Sequence, residues 1–356
     1  MKRIAILIPS LKTGGAEKQA AILADLLGRH YHVDIYLLYG LDQASPQNMK
    51  LLSRSTVHVT SLRGSIVSKI FQLRAALRRS RTEVLLNYLT SCDVIGAVAG
   101  RMAGVERIYG GIRNARIGWL KMVADRAAHN LLASGSIYNC YSGAEYFASK
   151  GYRADKNIVI PNCFMDISEP VVRAERAVKH IVTVGRFVPQ KDYRTIVRTI
   201  ACLKRLRGDF VMDIIGYGTE ERNIREWIGK YGVDECVNIH ICPDNVQTLV
   251  RDADIYLSAS LFEGTSNSIM EALNWSLPVV ATDVGDNGRL VINGCNGILH
   301  SVGDAEGMAR SVALLLESVE LRNRYGTAGH RHLRDNYSTE IFESKYINLI
   351  DEGKLV

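Results

Sequence analysis

Twice along this chain, short apolar runs rich in β-branched residues give way to longer stretches with helical apolar spacing, and that alternation leaves few folds open. Strand-like runs at Arg3 to Leu11, His32 to Leu38, Glu83 to Asn87 and Arg107 to Gly110 alternate with helical stretches such as Ala16 to Arg29 and Ile66 to Arg79. The rhythm restarts at His180 to Val184 and continues through Phe210 to Ile215, Val237 to Ile241, Ile255 to Ser258 and Pro278 to Ala281. Strands separated by helices need crossover connections, so the expected class is α/β, with parallel, doubly wound sheets. A chain of 356 residues has room for two such domains, each with its own core. Strand character lapses between Pro161 and Lys179, where Glu169-Pro170 breaks local structure. The expected division is therefore 1–165, 166–336 and a final helical segment, 337–356, in which Ile341, Phe342, Tyr346 and Ile350 recur at helical spacing. Two Rossmann-like domains in succession imply a cleft between them, and ligands of open α/β sheets bind beyond the carboxyl ends of the strands.

The glycine-bearing turns fall at those strand ends. After the run Ile255 to Ser258 the chain reads Glu263-Gly264-Thr265-Ser266-Asn267-Ser268-Ile269-Met270-Glu271. Gly264 breaks the chain ahead of a helix that Ser266 or Asn267 can cap, and the unpaired N–H groups of such a helix end suit an anion. Residues eight apart in an unbroken helix lie about 80° apart around the axis. Glu263 therefore makes best sense on the loop and Glu271 inside the helix, each gripping the hydroxyls of a different sugar ring. Backbone N–H groups of Gly264, Thr265 and Ser266 would meet a phosphate. Arg186 and Lys191 lie on the turn after His180 to Val184, where a planar fork of donors and a compact charge can converge on a diphosphate. Alone, such a pair would be an ordinary surface Arg and Lys; coupled to the glutamates it reads as a site.

This set resembles the Glu-x7-Glu motif of retaining glycosyltransferases of family 4, which have the two-domain GT-B fold. Gly185-Arg186-Phe187-Val188-Pro189-Gln190-Lys191 is similar to that family's donor-phosphate motif, and Gly216-Tyr217-Gly218 to its second glycine loop. Gly14-Gly15-Ala16-Glu17 follows the first strand as in the family. The resemblance runs over nearly the whole chain and implies a nucleoside-diphosphate-sugar donor and a carbohydrate or lipid-linked acceptor. It implies that Glu263 faces the donor hexose, that Glu271 takes the ribose hydroxyls, and that the last helix crosses back onto the first domain. Many family members place a histidine after the fifth strand. This chain has Gly110-Gly111-Ile112-Arg113-Asn114 there, so Arg113 and Asn114 are candidates for the leaving phosphate or an anionic acceptor. The departing phosphate is then the expected proton acceptor. No metal and no other cofactor is expected: Arg186 and Lys191 can take over a metal's work, and Asp252-Ala253-Asp254 leads into a strand with no cluster of carboxylates around it.

Composition narrows the alternatives. The seven cysteines are widely spread without a Cys-x-x-Cys pair, which fits buried thiols in a reducing cytosol. The apolar start is interrupted at Pro9 and Lys12, unlike a signal peptide, and the most apolar long run, Val94 to Val105, contains Arg101. Residues 1–175 hold 23 Lys or Arg against 13 Asp or Glu, whereas the remainder holds 21 against 24. A basic first half suits an anionic membrane face or phosphorylated acceptor and equally a solvated surface, and nothing points to nucleic acid. Ile66 to Arg81 is basic and amphipathic, which serves either a lipid interface or a crossover helix. The expected location is the cytoplasm or the inner face of its membrane. A nucleotide-sugar isomerase or epimerase of the same fold would need an acid and base pair that does not stand out. A binding protein without activity is countered by the intact set of site residues. A nicotinamide enzyme would need a Gly-x-Gly-x-x-Gly fingerprint, which Gly14-Gly15 does not complete.

Overall fold

The computed structural model describes residues 1–53, 56–113 and 118–353. Its internal contacts divide the chain into two compact units, Met1–Cys163 together with Thr339–Val356, and Phe164–Ser338.

The first unit holds strands β1 (Arg3–Ile8), β2 (His32–Leu37), β3 (His58–Ser61), β4 (Val84–Asn87), β5 (Arg107–Ile112), β6 (Gly135–Tyr138) and β7 (Asn157–Val159), in the order β3-β2-β1-β4-β5-β6-β7. Its helices are α1 (Gly15–Leu27), α2 (Pro46–Leu52), α3 (Ile66–Arg79), α4 (Thr90–Ala103), α5 (Trp119–Ala127) and α6 (Tyr141–Ser149). All pairings are parallel, so the central strands are covered on both faces and read as continuous apolar runs. The apolar stretch from Val94 to Val105 is α4, which sinks onto the sheet at its glycines. A Cβ on Gly100 would come within 2.8 Å of Ile108 and one on Gly96 within 1.8 Å of Asn87.

The second unit holds β8 (Lys179–Arg186), β9 (Phe210–Tyr217), β10 (Val237–Ile241), β11 (Ile255–Ser258), β12 (Val279–Thr282) and β13 (Gly297–His300), in the order β10-β9-β8-β11-β12-β13. Its helices are α7 (Tyr193–Lys204), α8 (Glu221–Tyr231), α9 (Val246–Arg251), α10 (Asn267–Asn274), α11 (Asn287–Leu290), α12 (Ala305–Glu317) and α13 (Val319–Tyr337). Alternate residues feed two cores. Ile181, Met212, Ile214, Ile255 and Leu257 face one side, and Val182, Ile215, Tyr256, Val279 and Ala281 the other. Buried Arg173 donates to the carbonyls of Ala253, Ser276, Arg251 and Trp275, tying the chain that enters this unit to its helix ends.

After α13 the chain returns to the first unit as α14 (Thr339–Glu352). Phe342, Tyr346, Leu349 and Ile350 are buried. Asp351 accepts from Lys2 Nζ at 2.7 Å and from Tyr31 Oη at 3.0 Å, and Arg107 Nη1 donates to the Ile350 carbonyl at 2.8 Å.

Several boundaries differ from the sequence reading. β1 stops at Ile8, because Pro9 cannot donate to the ladder. β5 continues beyond Gly110 through Gly111 to Ile112, so Gly111 belongs to a strand and not to a loop. A Cβ on Gly111 would lie 2.1 Å from the Asn87 carbonyl oxygen. β3, β6, β7 and β13 were not legible: they are three or four residues long and carry His, Ser, Asn or Gly at half their positions or more, apart from β7 with its single Asn. None of the seven cysteines is in a disulfide, but Cys242 and Cys295 are exposed on turns and not buried as expected.

Behind β5 lies a pair of acids, Asp93 on α4 and Asp125 on α5, both almost inaccessible to solvent. Asp93 Oδ1 accepts from the Gly111 N–H at 2.7 Å, and Tyr152 Oη donates to Asp125 Oδ2 at 2.8 Å. Burial and the neighbouring carboxylate push Asp93 well above the usual range, and burial pushes Asp125 up to about 6. Acids raised in this way bind protons more tightly folded than unfolded. Their stabilising effect is complete below about pH 4 and is lost as the pH rises through the folded-state values. The contribution of this pair should fall by on the order of 2 kcal/mol between about pH 4 and pH 7, read by urea unfolding as the wild type's loss relative to Asp93→Asn over that range. Asp93→Asn, which keeps the acceptor for Gly111, should flatten that fall; an unchanged slope would mean that the pair does not share a proton.

Candidate active site

The carboxyl ends of β8, β9 and β11 bring the second unit's candidate residues together. β8 ends at Arg186, whose side chain is exposed and has no partner among the described residues. Phe187 is fully buried, its ring edge-on to Tyr193 with centroids 5.0 Å apart, and Tyr193 Oη donates to the Gly185 carbonyl at 3.0 Å. Asp192 takes a left-handed conformation, φ 44°, and caps α7 by accepting from the Thr195 N–H at 3.2 Å and hydroxyl at 2.6 Å. An aspartate tolerates that conformation because its short side chain bonds locally. These anchors fix a single turn at Pro189–Lys191, and Lys191 Nζ lies 2.5 Å from Glu263 Oε1.

Glu263 is held from several sides. The hydroxyl of Ser260, a fully buried residue, donates to Glu263 Oε1 at 2.8 Å, and Thr282 Oγ1 donates to the Ser260 carbonyl at 2.7 Å. The loop after β11 is stitched to the loop after β8 by Leu261 N to Gln190 O and by Gln190 Nε2 to Phe262 O, both 2.8 Å. Gly285, φ +55°, passes so close that a Cβ there would lie 1.9 Å from the Glu263 carbonyl oxygen. Sequence reasoning missed Ser260, Thr282 and Gly285. The glycine was findable, since it too follows a strand, whereas the two hydroxyls carry no signal until β11 and β12 are paired.

Gly264 and Thr265 form the bend that leads into α10. Ser266 occupies the cap position by its backbone alone; its hydroxyl pairs with Ser268 Oγ at 3.2 Å and Asn267 is the exposed first helical residue, so the expected side-chain cap is not made. Without that cap, the first-turn N–H groups are left to a ligand or water. Glu271 sits half-buried one turn into α10. Both glutamates act on the same buried phenol: burial above all, with smaller contributions from Glu271 and Glu263, raises Tyr256, whose hydroxyl donates to the Val184 carbonyl at 3.2 Å. Gly216 lies in register with Gly185, and its φ of +159° brings a would-be Cβ within 1.9 Å of the Gly185 carbonyl oxygen; only glycine fits. The arrangement offers cations, oriented carboxylates and an uncapped helix end within one unit, the donor and acceptor types that a diphosphate and sugar hydroxyls require.

The remaining candidates belong to the first unit. Gly14 caps α1 with extended backbone, folded over by the Glu17 carboxylate, and Gly15 is exposed with open space around it. Arg113 is no loose surface cation: Nη1 donates to Asn162 Oδ1 at 2.7 Å, Nη2 to Tyr346 Oη at 3.3 Å, and the guanidinium lies 4.3 Å from the centre of the Tyr88 ring. Asn114 lies outside the described residues. Asp252 and Asp254 do not converge. Asp252 pairs with Arg251 at 2.9 Å, while buried Asp254 accepts from the His180 N–H at 2.8 Å and faces Arg176 at 3.7 Å and Arg322 at 3.8 Å.

Gly285→Ala should force the Glu263 backbone to move and cost about 1–3 kcal/mol of stability, read as a lower urea midpoint of the purified chain. An unchanged midpoint would mean that the two loops are not in contact.

Residues 169–332 match the family described as glycosyl transferases group 1. The lipopolysaccharide core biosynthesis glycosyltransferase LpsE of Rhizobium meliloti is 28% identical over 170 residues, 48% of this chain and 49% of that protein. A Campylobacter jejuni 4-alpha-N-acetylgalactosaminyltransferase whose name specifies a diphospho-undecaprenol acceptor is 28% identical over 148 residues, 41% of this chain and 40% of that protein. The chain thus spans about half the length, or less, of these curated relatives. The Anabaena protein HepE, solved in complex with UDP, superposes with a TM-score of 0.83 at 17% identity over 99% of this chain and 100% of its own. The chain therefore has the GT-B fold, and its second unit carries the segment similar throughout to the group 1 glycosyl transferases.

Proposed function

We propose that this protein is a retaining glycosyltransferase, of the kind grouped as family 4, that moves a sugar from a nucleoside diphosphate to an acceptor hydroxyl on a lipid-linked or surface-polysaccharide precursor. The observation that carries the reading is the Lys191–Glu263 pair at 2.5 Å, on the loops that follow β8 and β11, with Arg186 exposed and without a partner among the described residues and with α10 lacking a side-chain bond from its cap residue. Negative charge builds on the leaving diphosphate as the glycosidic bond breaks, and fixed cations stabilise it in the transition state. Arg186 and Lys191 supply those cations without a metal. Glu263, oriented by Ser260, faces the donor sugar, and Glu271 accepts from the ribose hydroxyls. The departing phosphate takes the acceptor proton. Support for the donor class comes from HepE, whose structures include UDP-glucose, and for the acceptor class from the lipid-linked acceptor in the Campylobacter enzyme's name.

Calorimetric titration with UDP, GDP, ADP, dTDP and NAD in the presence of chelator should show one nucleoside diphosphate binding and NAD silent. Binding of NAD alone would overturn the reading. With the nucleotide identified, Glu271→Ala should weaken its binding roughly tenfold or more. Glu263→Ala should cut turnover of the matching nucleotide sugar by about a hundredfold or more while leaving nucleotide affinity nearly unchanged. Two mutants with wild-type affinity and rate would remove both glutamates from the site.

A further inference from the structure

The helical layer of the first unit carries an apolar face with no partner among the described residues, and its centre is not the basic stretch that the sequence singles out. α5 turns one acid inward beside Met122 and sets large apolar side chains outward. The residues turned inward include Asp125, and the π-helical turn that follows, Ala128–Leu132, buries His129 between Ser136 Oγ at 2.7 Å and the Arg153 carbonyl at 3.1 Å. Outward stand Trp119 and Leu120, 72% and 66% exposed, then Val123, Ala124 and Ala127, ending at Leu131, 78% exposed. A second outward stripe, Val67, Phe71 and Ala75, runs along α3 and continues into exposed Arg78. Between these helices lies α4, with exposed Arg101 and Met102; Arg74 Nε donates to the Met102 carbonyl at 3.2 Å and Arg101 Nε to the Leu132 carbonyl at 2.5 Å. Three helices of one layer therefore present apolar side chains to solvent together.

We propose that this face docks on an anionic lipid bilayer, with Trp119, Leu120 and Leu131 entering the headgroup boundary. Charge selects this occupant. From Leu62 to Thr82 there are six Lys or Arg and no acid, and from Gly118 to Leu132 the one acid is the buried Asp125. Two of the α3 cations are engaged by the fold, Lys69 on the Leu38 carbonyl at 2.6 Å and Arg74 as above; Arg78 and Arg81 line a hollow with Glu83 and Glu106, while Arg63 and Arg79 stay exposed. Apolar side chains with a tryptophan among them, fringed by exposed cations, match an interface whose interior is hydrocarbon and whose surface is negative.

Sedimentation with vesicles tests this, using phosphatidylcholine alone and phosphatidylcholine mixed with phosphatidylglycerol. The full chain should bind the mixed vesicles at least about tenfold more strongly than the neutral ones. The variant Trp119→Ser/Leu120→Ser/Leu131→Ser should lose about tenfold or more of that binding, with an unchanged circular dichroism spectrum and unchanged nucleoside-diphosphate affinity. Arg78→Ala/Arg79→Ala should lessen the difference between the two vesicle types. Equal binding of wild type and triple variant would overturn the proposal. So would light scattering that shows a wild-type dimer converted to monomer by the triple variant, which would give the face to a second copy of the chain.

Discussion

One ion pair ties together what the second unit brings to its sheet edge. Lys191 and Glu263 come from loops on adjacent strands, more than 70 residues apart in sequence, and each is held before it meets the other. The lysine's turn is pinned by buried Phe187 and by the Asp192 cap, the glutamate by Ser260 and by the backbone crossing at Gly285. With both partners mostly withdrawn from water, the attraction is worth more than at an exposed site, and breaking it without a replacement leaves a half-buried charge uncompensated. Both loops thus depend on that contact. A diphosphate arriving near Lys191 would supply the replacement, which makes the pair a natural place for binding and loop geometry to be linked.

The alternation of runs made the α/β class and the two-fold repetition legible, because strand and helix periods are written directly in the apolar positions. The glycine turns were legible for a related reason. Gly216 must be glycine where β9 passes β8, and sequence marks such close approaches plainly. What stayed hidden depended on pairing. Arg113 reads as a solvent-facing residue in a loop until Asn162, Tyr346 and Tyr88 are placed around it, and Tyr346 lies over 200 residues away. Ser266 looked like a helix cap; its hydroxyl instead found Ser268, a choice between two local partners of similar energy. The edge strands β3 and β7 are short, and β3 is polar, so they carry no usable period.

The first unit places acids and apolar side chains against expectation in the same element. α5 turns Asp125 into the protein and Trp119 out of it. Asp125 is tolerated inside because Tyr152 donates to it and because it shares its burial with Asp93, whose proton removes one of two like charges. The cost of that arrangement falls on the fold, while the apolar face is left on the outside. A helix selected for packing alone would have been built the other way round.

The return of α14 to the first unit has a consequence for how the chain is made. During synthesis, β1 to β7 leave the ribosome long before Tyr346 and Asp351 exist, so Tyr31 and Lys2 wait for Asp351, and Arg113 for the Tyr346 hydroxyl. The second unit is continuous in sequence and can close upon itself as soon as α13 emerges. The amino-terminal unit is therefore the last to be finished, and its surface under α14 stays open through the whole time the other unit folds. A nascent chain of this kind needs protection at its beginning rather than its end.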